Sequence, residues 1–121
     1  MTRILVIDDD TMIRALLRAI LEREGYDVVE AANGADGLQQ YQAIRPDLVM
    51  TDLQMPVMDG FALLRALQRV VPPPAVIAIS GNQHDLTQAQ RLTPYTFAKP
   101  FPLPQLVATV HALVAARFQG P

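Results

Sequence analysis

Cysteine is absent from all 121 residues, which removes disulfides, thiolate nucleophiles and zinc–thiolate sites. Lysine is almost absent: Lys99 is the single lysine and the other nine basic residues are arginine. A strong charge of either sign is missing too. The formal net charge is -2 and the pI is about 5.5, which argues against a nucleic-acid or anionic-membrane surface. No long apolar run is present. Asp8 to Asp10 interrupt the apolar start before a signal segment could form, and the apolar stretch around His111 is short of a membrane span. Repeats and low-complexity tracts are lacking. What is left is one domain over 1–121, half of it hydrophobic, with material for a core and a cytoplasmic setting expected.

The apolar material comes in short segments set apart by turn residues. Arg3 to Ile7 is strongly apolar, as a strand covered on both faces should be. Ile13, Leu16, Leu17, Ile20 and Leu21 then recur at helical spacing, with Asp10 as N-cap and Gly25 as the stop. Asp27 to Ala31 predicts a second strand. Asn33-Gly34 opens a helix carrying Leu38, Tyr41 and Ile44, which Pro46 ends. Asp47 to Thr51 predicts a third strand. Phe61, Leu64, Leu67 and Val71 mark a third helix, closed by Pro72 to Pro74. Ala75 to Ile79 is a fourth strand, Gln83 to Leu92 a short or loosely held helix, and Tyr95 to Ala98 a fifth strand. The last helix runs from about Pro104 to Arg117. Five such alternations mean an α/β domain, a parallel sheet with helices on both faces.

In such sheets function gathers at the carboxyl ends of the strands. Those ends carry Asp8 and Asp9, then Asp52, then Ser80, then Lys99, while the second strand offers only Ala31 and Ala32. Two carboxylates a few ångströms apart repel by roughly 1–4 kcal/mol, depending on the dielectric. Asp9 and Asp52 therefore need a proton or a cation between them, and oxygen ligands without His or Cys favour Mg2+. With Lys99 and the Ser80 hydroxyl turned to the same place, Asp52 reads as a nucleophile that forms an acyl phosphate. Pro100 disfavours helix at Lys99 and keeps it extended off the strand end. Gly81 leaves space beside the site.

Four motifs, Ile4-Leu5-Val6-Ile7-Asp8-Asp9-Asp10, Asp52-Leu53-Gln54-Met55-Pro56-Val57-Met58-Asp59-Gly60, Ile79-Ser80-Gly81 and Lys99-Pro100-Phe101, occur in this order at the strand ends. Together they resemble the receiver domain of the two-component response regulators, over essentially the whole chain. The resemblance implies a flavodoxin-like (βα)5 doubly wound sheet of strand order 2-1-3-4-5. It implies a phosphoryl group passed to Asp52 from a sensor histidine kinase or a histidine phosphotransfer protein. It also implies Mg2+ on Asp9, Asp52 and the backbone carbonyl of Gln54, with Asp8 helping through water. Ser80 and Lys99 would sense the phosphoryl group, and the Lys99–Pro100 peptide would be cis. Such a domain is a phosphorylation substrate with self-catalysed transfer and hydrolysis, not a turnover enzyme. With no effector segment after the last helix, output would pass to a downstream protein through the fourth helix, fifth strand and fifth helix.

The chain departs from the family pattern in places. The family's usual aromatic three positions before the lysine is Thr96 here, and alternation sends Tyr95 and Phe97 to the other face. Gln54 and Asn82, at positions that tune phosphoryl lifetime in the family, are neutral amides and supply no general base. Two other readings differ in kind. A receiver-fold interaction module would work without phosphorylation. A haloacid-dehalogenase-like phosphohydrolase would use Asp8 as nucleophile, but Met12 stands where its motif needs Thr or Val. Plainer readings apply elsewhere: Asp59-Gly60 as a turn, His84 and His111 as surface residues, Met12, Met50, Met55 and Met58 as core or loop packing.

Overall fold

The computed structural model describes residues 2–55 and 58–117; Pro56 and Val57 of the turn motif lie outside them. Among the described residues the chain runs β1 (Arg3–Ile7), α1 (Thr11–Arg23), β2 (Asp27–Ala31), α2 (Gly34–Ile44), β3 (Leu48–Asp52), α3 (Gly60–Gln68), β4 (Ala75–Ser80), α4 (Gln83–Ala89), β5 (Tyr95–Ala98) and α5 (Leu103–Arg117). The strands form one parallel sheet of order β2-β1-β3-β4-β5. The crossover from β2 past β1 to β3 makes the topological switch between β1 and β3.

Alternation along each strand feeds two cores. Leu5, Ile7, Val49 and Ala78 face one side, against Tyr41, Leu63, Leu64, Leu67, Leu86 and Ala89 of α2, α3 and α4. Ile4, Val6, Leu48, Met50, Ile77 and Ile79 face the other, against Leu17 and Leu21 of α1 and Leu106, Val110 and Val114 of α5. Each large apolar side chain so buried stabilises the fold by roughly 1.5–3 kcal/mol. β3, buried along its full length, lies at the centre and carries Asp52 at its end.

Side-chain caps start four of the helices, Asp10 as the sequence reading expects and Asn33, Asp59 and Asn82 in addition. Asp10 accepts from Met12 N and Ile13 N, Asn33 from Asp36 N, Asp59 from Ala62 N and Asn82 from Asp85 N, each satisfying a backbone donor of the first turn. Gly25 follows α1 with φ of 93°, the left-handed conformation that a residue without Cβ adopts at low cost.

Several boundaries differ from the sequence expectation. β3 begins at Leu48 rather than Asp47 and includes Asp52, because Asp52 still pairs with Ile79 in β4. α3 ends at Gln68, so Val71 is not part of its buried stripe and is 92% exposed. The residue before Pro72 is biased away from helix, and the half-buried Val70 packs on the core instead. α4 stops at Ala89, short of Leu92, because Leu92 N and Thr93 N both turn back to Ala89 O. Thr93 is buried and its hydroxyl donates to Val76 O at 2.7 Å, which sets the entry to β5. Met12, read as packing, is 81% exposed in the first turn of α1.

Candidate functional site

Because the strands are parallel, their carboxyl ends share one edge, and the five side chains read from the sequence meet there. Asp8 follows β1 and is buried. Its Oδ1 accepts from Asp10 N at 2.9 Å, and its backbone carbonyl accepts from Arg14 Nη1 at 2.6 Å. Asp52 is also buried, and its Oδ1 accepts from Gln54 N at 3.2 Å. Lys99 Nζ donates to Asp52 Oδ2 at 3.1 Å and to Asp8 Oδ2 at 3.3 Å. The exposed Asp9 completes an acidic cluster in which one carboxylate oxygen from each of Asp8, Asp9 and Asp52 lies within 4.8 Å of the others.

Ser80, fully buried at the end of β4, accepts from Asn82 N at 3.0 Å. That bond uses a lone pair and leaves the hydroxyl hydrogen to donate elsewhere. Lys99 N donates to Ser80 O at 2.9 Å, so the backbone ties the lysine to the serine strand before its side chain turns to the carboxylates. The Lys99–Pro100 peptide is cis, as the resemblance implies.

The electrostatics follow from this crowding. Burial is the largest influence on Asp8 and raises its pKa; the charge of Asp52 adds to the rise, while the Asp10 N–H and Lys99 oppose it. For Lys99 burial pulls the pKa down, but the hydrogen bond to Asp52 and the charges of Asp8 and Asp52 outweigh it, and the net shift is upward. The lysine therefore stays cationic at neutral pH. Three carboxylates against one ammonium leave an excess of negative charge on hard oxygen atoms, which suits a divalent cation of the Mg2+ kind. The donor set fits such an ion.

Gln54 and Asn82, the positions expected to tune phosphoryl lifetime, have their side chains engaged by Asp85. Gln54 Nε2 donates to Asp85 Oδ2 at 3.0 Å, and Asn82 Oδ1 caps α4 by accepting from Asp85 N at 3.1 Å. Gln90 Nε2 lies 3.5 Å from Thr96 Oγ1 on the α4 side. Tyr95 and Phe97 pack on the opposite core, as alternation requires. The exposed His84 is hydrogen-bonded to Gln88. His111 on α5 joins the Tyr26 hydroxyl and, at 2.8 Å, Glu24 Oε1.

Two contributors escaped the sequence reading. Arg14 holds the Asp8 carbonyl and is itself paired with Glu30 at 3.1 Å; nothing in the spacing of α1 signals a partner on β2. Asp85 had a signal, since Asn82 and Asp85 stand three apart in a capping pattern, but its bond to Gln54 spans 31 positions.

The profile of the response regulator receiver domain matches residues 4–111. Sporulation initiation phosphotransferase F of Bacillus subtilis is 35% identical over 107 residues, covering 86% of each chain. Transcriptional regulatory protein PrrA of Mycobacterium tuberculosis is 36% identical over 118 residues, covering 95% of this chain and 51% of PrrA. The chain thus spans about half the length of several relatives it matches. Among solved structures, the response regulator TrrA of Thermotoga maritima in complex with Mg2+-BeF superposes with a TM-score of 0.87. It is 29% identical, with 93% of this chain and 99% of that one covered. The β2-β1-β3-β4-β5 sheet agrees with these matches, and the phosphohydrolase reading is not favoured. The chain belongs to the response regulator receiver domain family, the phosphoacceptor modules of two-component signalling.

Proposed function

We propose that Asp52 is the phosphoacceptor, receiving a phosphoryl group from the phosphohistidine of a kinase or phosphotransfer protein. The observation that carries this reading is the double contact of Lys99 Nζ with Asp52 Oδ2 and Asp8 Oδ2 inside the acidic cluster. A buried carboxylate held by a lysine, at a strand end with a hydroxyl beside it, has the parts that in-line phosphoryl transfer needs.

In the transfer an Asp52 oxygen bonds to phosphorus, and the phosphorus–nitrogen bond breaks with its electron pair returning to the donor imidazole. Lys99 moves its ammonium from carboxylate to phosphoryl oxygen, and the Ser80 hydroxyl donates to another. A divalent cation, held by Asp9, Asp52 and the Gln54 carbonyl with Asp8 in support, would neutralise phosphoryl charge. The Asp8 carboxylate, fixed by Asp10 N and backed by Arg14 at its own carbonyl, keeps that edge of the site in place.

The partner follows from access. A groove of about 480 Å3 lined by Ile13, Leu16, Lys99, Pro100, Phe101 and Leu103 flanks the site; Leu16 within it is exposed, as is Met12 one turn earlier on α1. That apolar margin suits one face of a helix bearing the phosphohistidine. Output to a downstream protein through α4, β5 and α5 belongs to the same proposal, as do the single receiver domain over 1–121 and a cytoplasmic setting. Among the described residues no helix is long and apolar enough to cross a membrane.

Incubation with acetyl phosphate and Mg2+ tests the reading. One hydroxylamine-labile phosphoryl group is expected on the wild-type chain, lost in Asp52→Asn. Label on Asp8 instead would support hydrolase chemistry, and no label at all a module that works without phosphorylation.

A further inference from the structure

Asp85, in the first turn of α4, touches both amide side chains that flank the site. Its carboxylate Oδ2 accepts from Gln54 Nε2 at 3.0 Å, and its backbone N donates to Asn82 Oδ1 at 3.1 Å. Gln54 is thereby bound at two points. Its backbone N donates to the Asp52 carboxylate, and its side chain crosses from the loop after β3 to α4. No other described hydrogen bond joins that loop to α4 through side chains.

A carboxamide has a donor end and an acceptor end, whereas a carboxylate only accepts. Asp85 therefore selects the NH2 end of Gln54, since the reverse orientation would set Oε1 against a charged oxygen. The end of the amide not taken by Asp85 is its carbonyl. A carbonyl accepts a hydrogen from water but is repelled by the oxygens of a phosphoryl group. This is the polarity of a group that orients a hydrolytic water, the role a glutamine takes in other phosphoryl-transfer sites. A free amide would turn its NH2 towards the anionic phosphoryl group and shield it.

We propose that Asp85 is a positioning residue for loss of the phosphoryl group from Asp52, acting through the orientation of the Gln54 side chain. The proposal rests on Asp52 being the phosphoacceptor. In the step concerned the water oxygen bonds to phosphorus, and the bond from phosphorus to Asp52 oxygen breaks with its electron pair returning to the carboxylate. The two water protons leave on the released phosphate or pass to solvent. No oxidant or further co-reactant is involved.

The test is the decay of protein phosphorylated with acetyl phosphate and Mg2+ and then freed of donor, followed by intact mass. Asp85→Ala is expected to lengthen the phosphoryl half-life roughly three- to tenfold. Asp85→Asn keeps an acceptor for the Gln54 amide but also accommodates the flipped amide, and is expected to fall between wild type and Asp85→Ala. In a Gln54→Ala background, Asp85→Ala should change the half-life no further. Thermal unfolding of each variant reads any general damage to α4. An unchanged or shortened half-life in Asp85→Ala overturns the proposal, as does an effect that persists without the Gln54 side chain. Failure of the underlying reading looks different, because the wild type itself would then carry no labile group on Asp52; that result overturns both.

Discussion

Lys99 Nζ stands 3.1 Å from Asp52 Oδ2 while the Lys99 backbone N–H donates to the Ser80 carbonyl at 2.9 Å. The lysine is thus held at both ends, by the Asp52 carboxylate and by the strand that carries Ser80. Replacing it with the similarly shaped but neutral Met leaves two buried carboxylates without their shared counter-charge. Lys99→Met is expected to reduce labelling of Asp52 by acetyl phosphate at least tenfold. It should also cost about 1–3 kcal/mol of stability, less than a fully buried pair because the lysine is partly solvated. Urea unfolding beside a labelling time course measures both.

Stability should respond to pH at two places, with the same sign. Asp8 has a raised pKa in the fold, chiefly through burial. Below about pH 3.9 it is protonated in both states and costs nothing. As pH rises from there to its folded pKa, the unfolded chain ionises first and stability falls, then levels off. Lys99 is also raised, despite burial, by its contacts with Asp52 and Asp8. Its contribution is complete below about pH 10.4 and is lost as pH rises through the folded value. The urea midpoint of Asp8→Asn should lack the acid-side fall, and that of Lys99→Met the alkaline one.

Divalent cation should stabilise the fold because Asp8, Asp9 and Asp52 crowd one edge. At a Mg2+ concentration of a hundred times the dissociation constant, the gain is about 2.7 kcal/mol. A thermal shift with Mg2+ that shrinks in Asp9→Asn is the expected result. An equal shift in that variant would place the ion elsewhere.

Gly60 and Gly81 both flank the site and should behave oppositely. A Cβ at Gly60 would lie 2.5 Å from Asp52 O and 2.6 Å from Leu53 Cα, both backbone atoms, whereas one at Gly81 meets only Lys99 Cβ at 4.0 Å. Gly60→Ala is expected to cost about 1–3 kcal/mol and to slow labelling by displacing the Asp52 backbone. Gly81→Ala should leave stability within about 0.5 kcal/mol. Denaturation of the two variants side by side decides this.

Tyr95 lies on the core shared with α5, not on the α4 side where Thr96 meets Gln90. Phosphorylation is therefore expected to proceed without a change in tyrosine burial at this position. Tyrosine absorbance under solvent perturbation, in protein with Tyr26 and Tyr41 replaced by Phe, should match before and after labelling.

Much of this molecule was legible in its sequence because the relevant signals are local. Apolar spacing separated strands from helices, and Asp10 as a cap, with the Asn33-Gly34 and Asp59-Gly60 turns, marked helix starts through bonds made within three residues. The parallel sheet followed from strand–helix alternation, and parallel strands share one carboxyl edge. Asp8, Asp9, Asp52, Ser80 and Lys99 therefore fall together at that edge on the sequence pattern alone. Stripe reading failed where a proline cut the periodicity, at Val71, and at Leu16, which keeps helical spacing yet is exposed; Met12, read as packing, is exposed as well.

The sequence by itself determined which residues line the edge and what chemistry they are capable of. Only the tertiary structure decided how their hydrogen bonds are shared. It is the structure that sets Lys99 between Asp52 and Asp8 rather than beside Asp9, places Arg14 on the Asp8 carbonyl, and turns the Gln54 amide to Asp85. The physical reason is distance along the chain. Backbone periodicity and capping depend on neighbours a few positions away. The Lys99–Asp8 and Gln54–Asp85 bonds span 91 and 31 positions, and their geometry is fixed only when the two cores pack the strands into register.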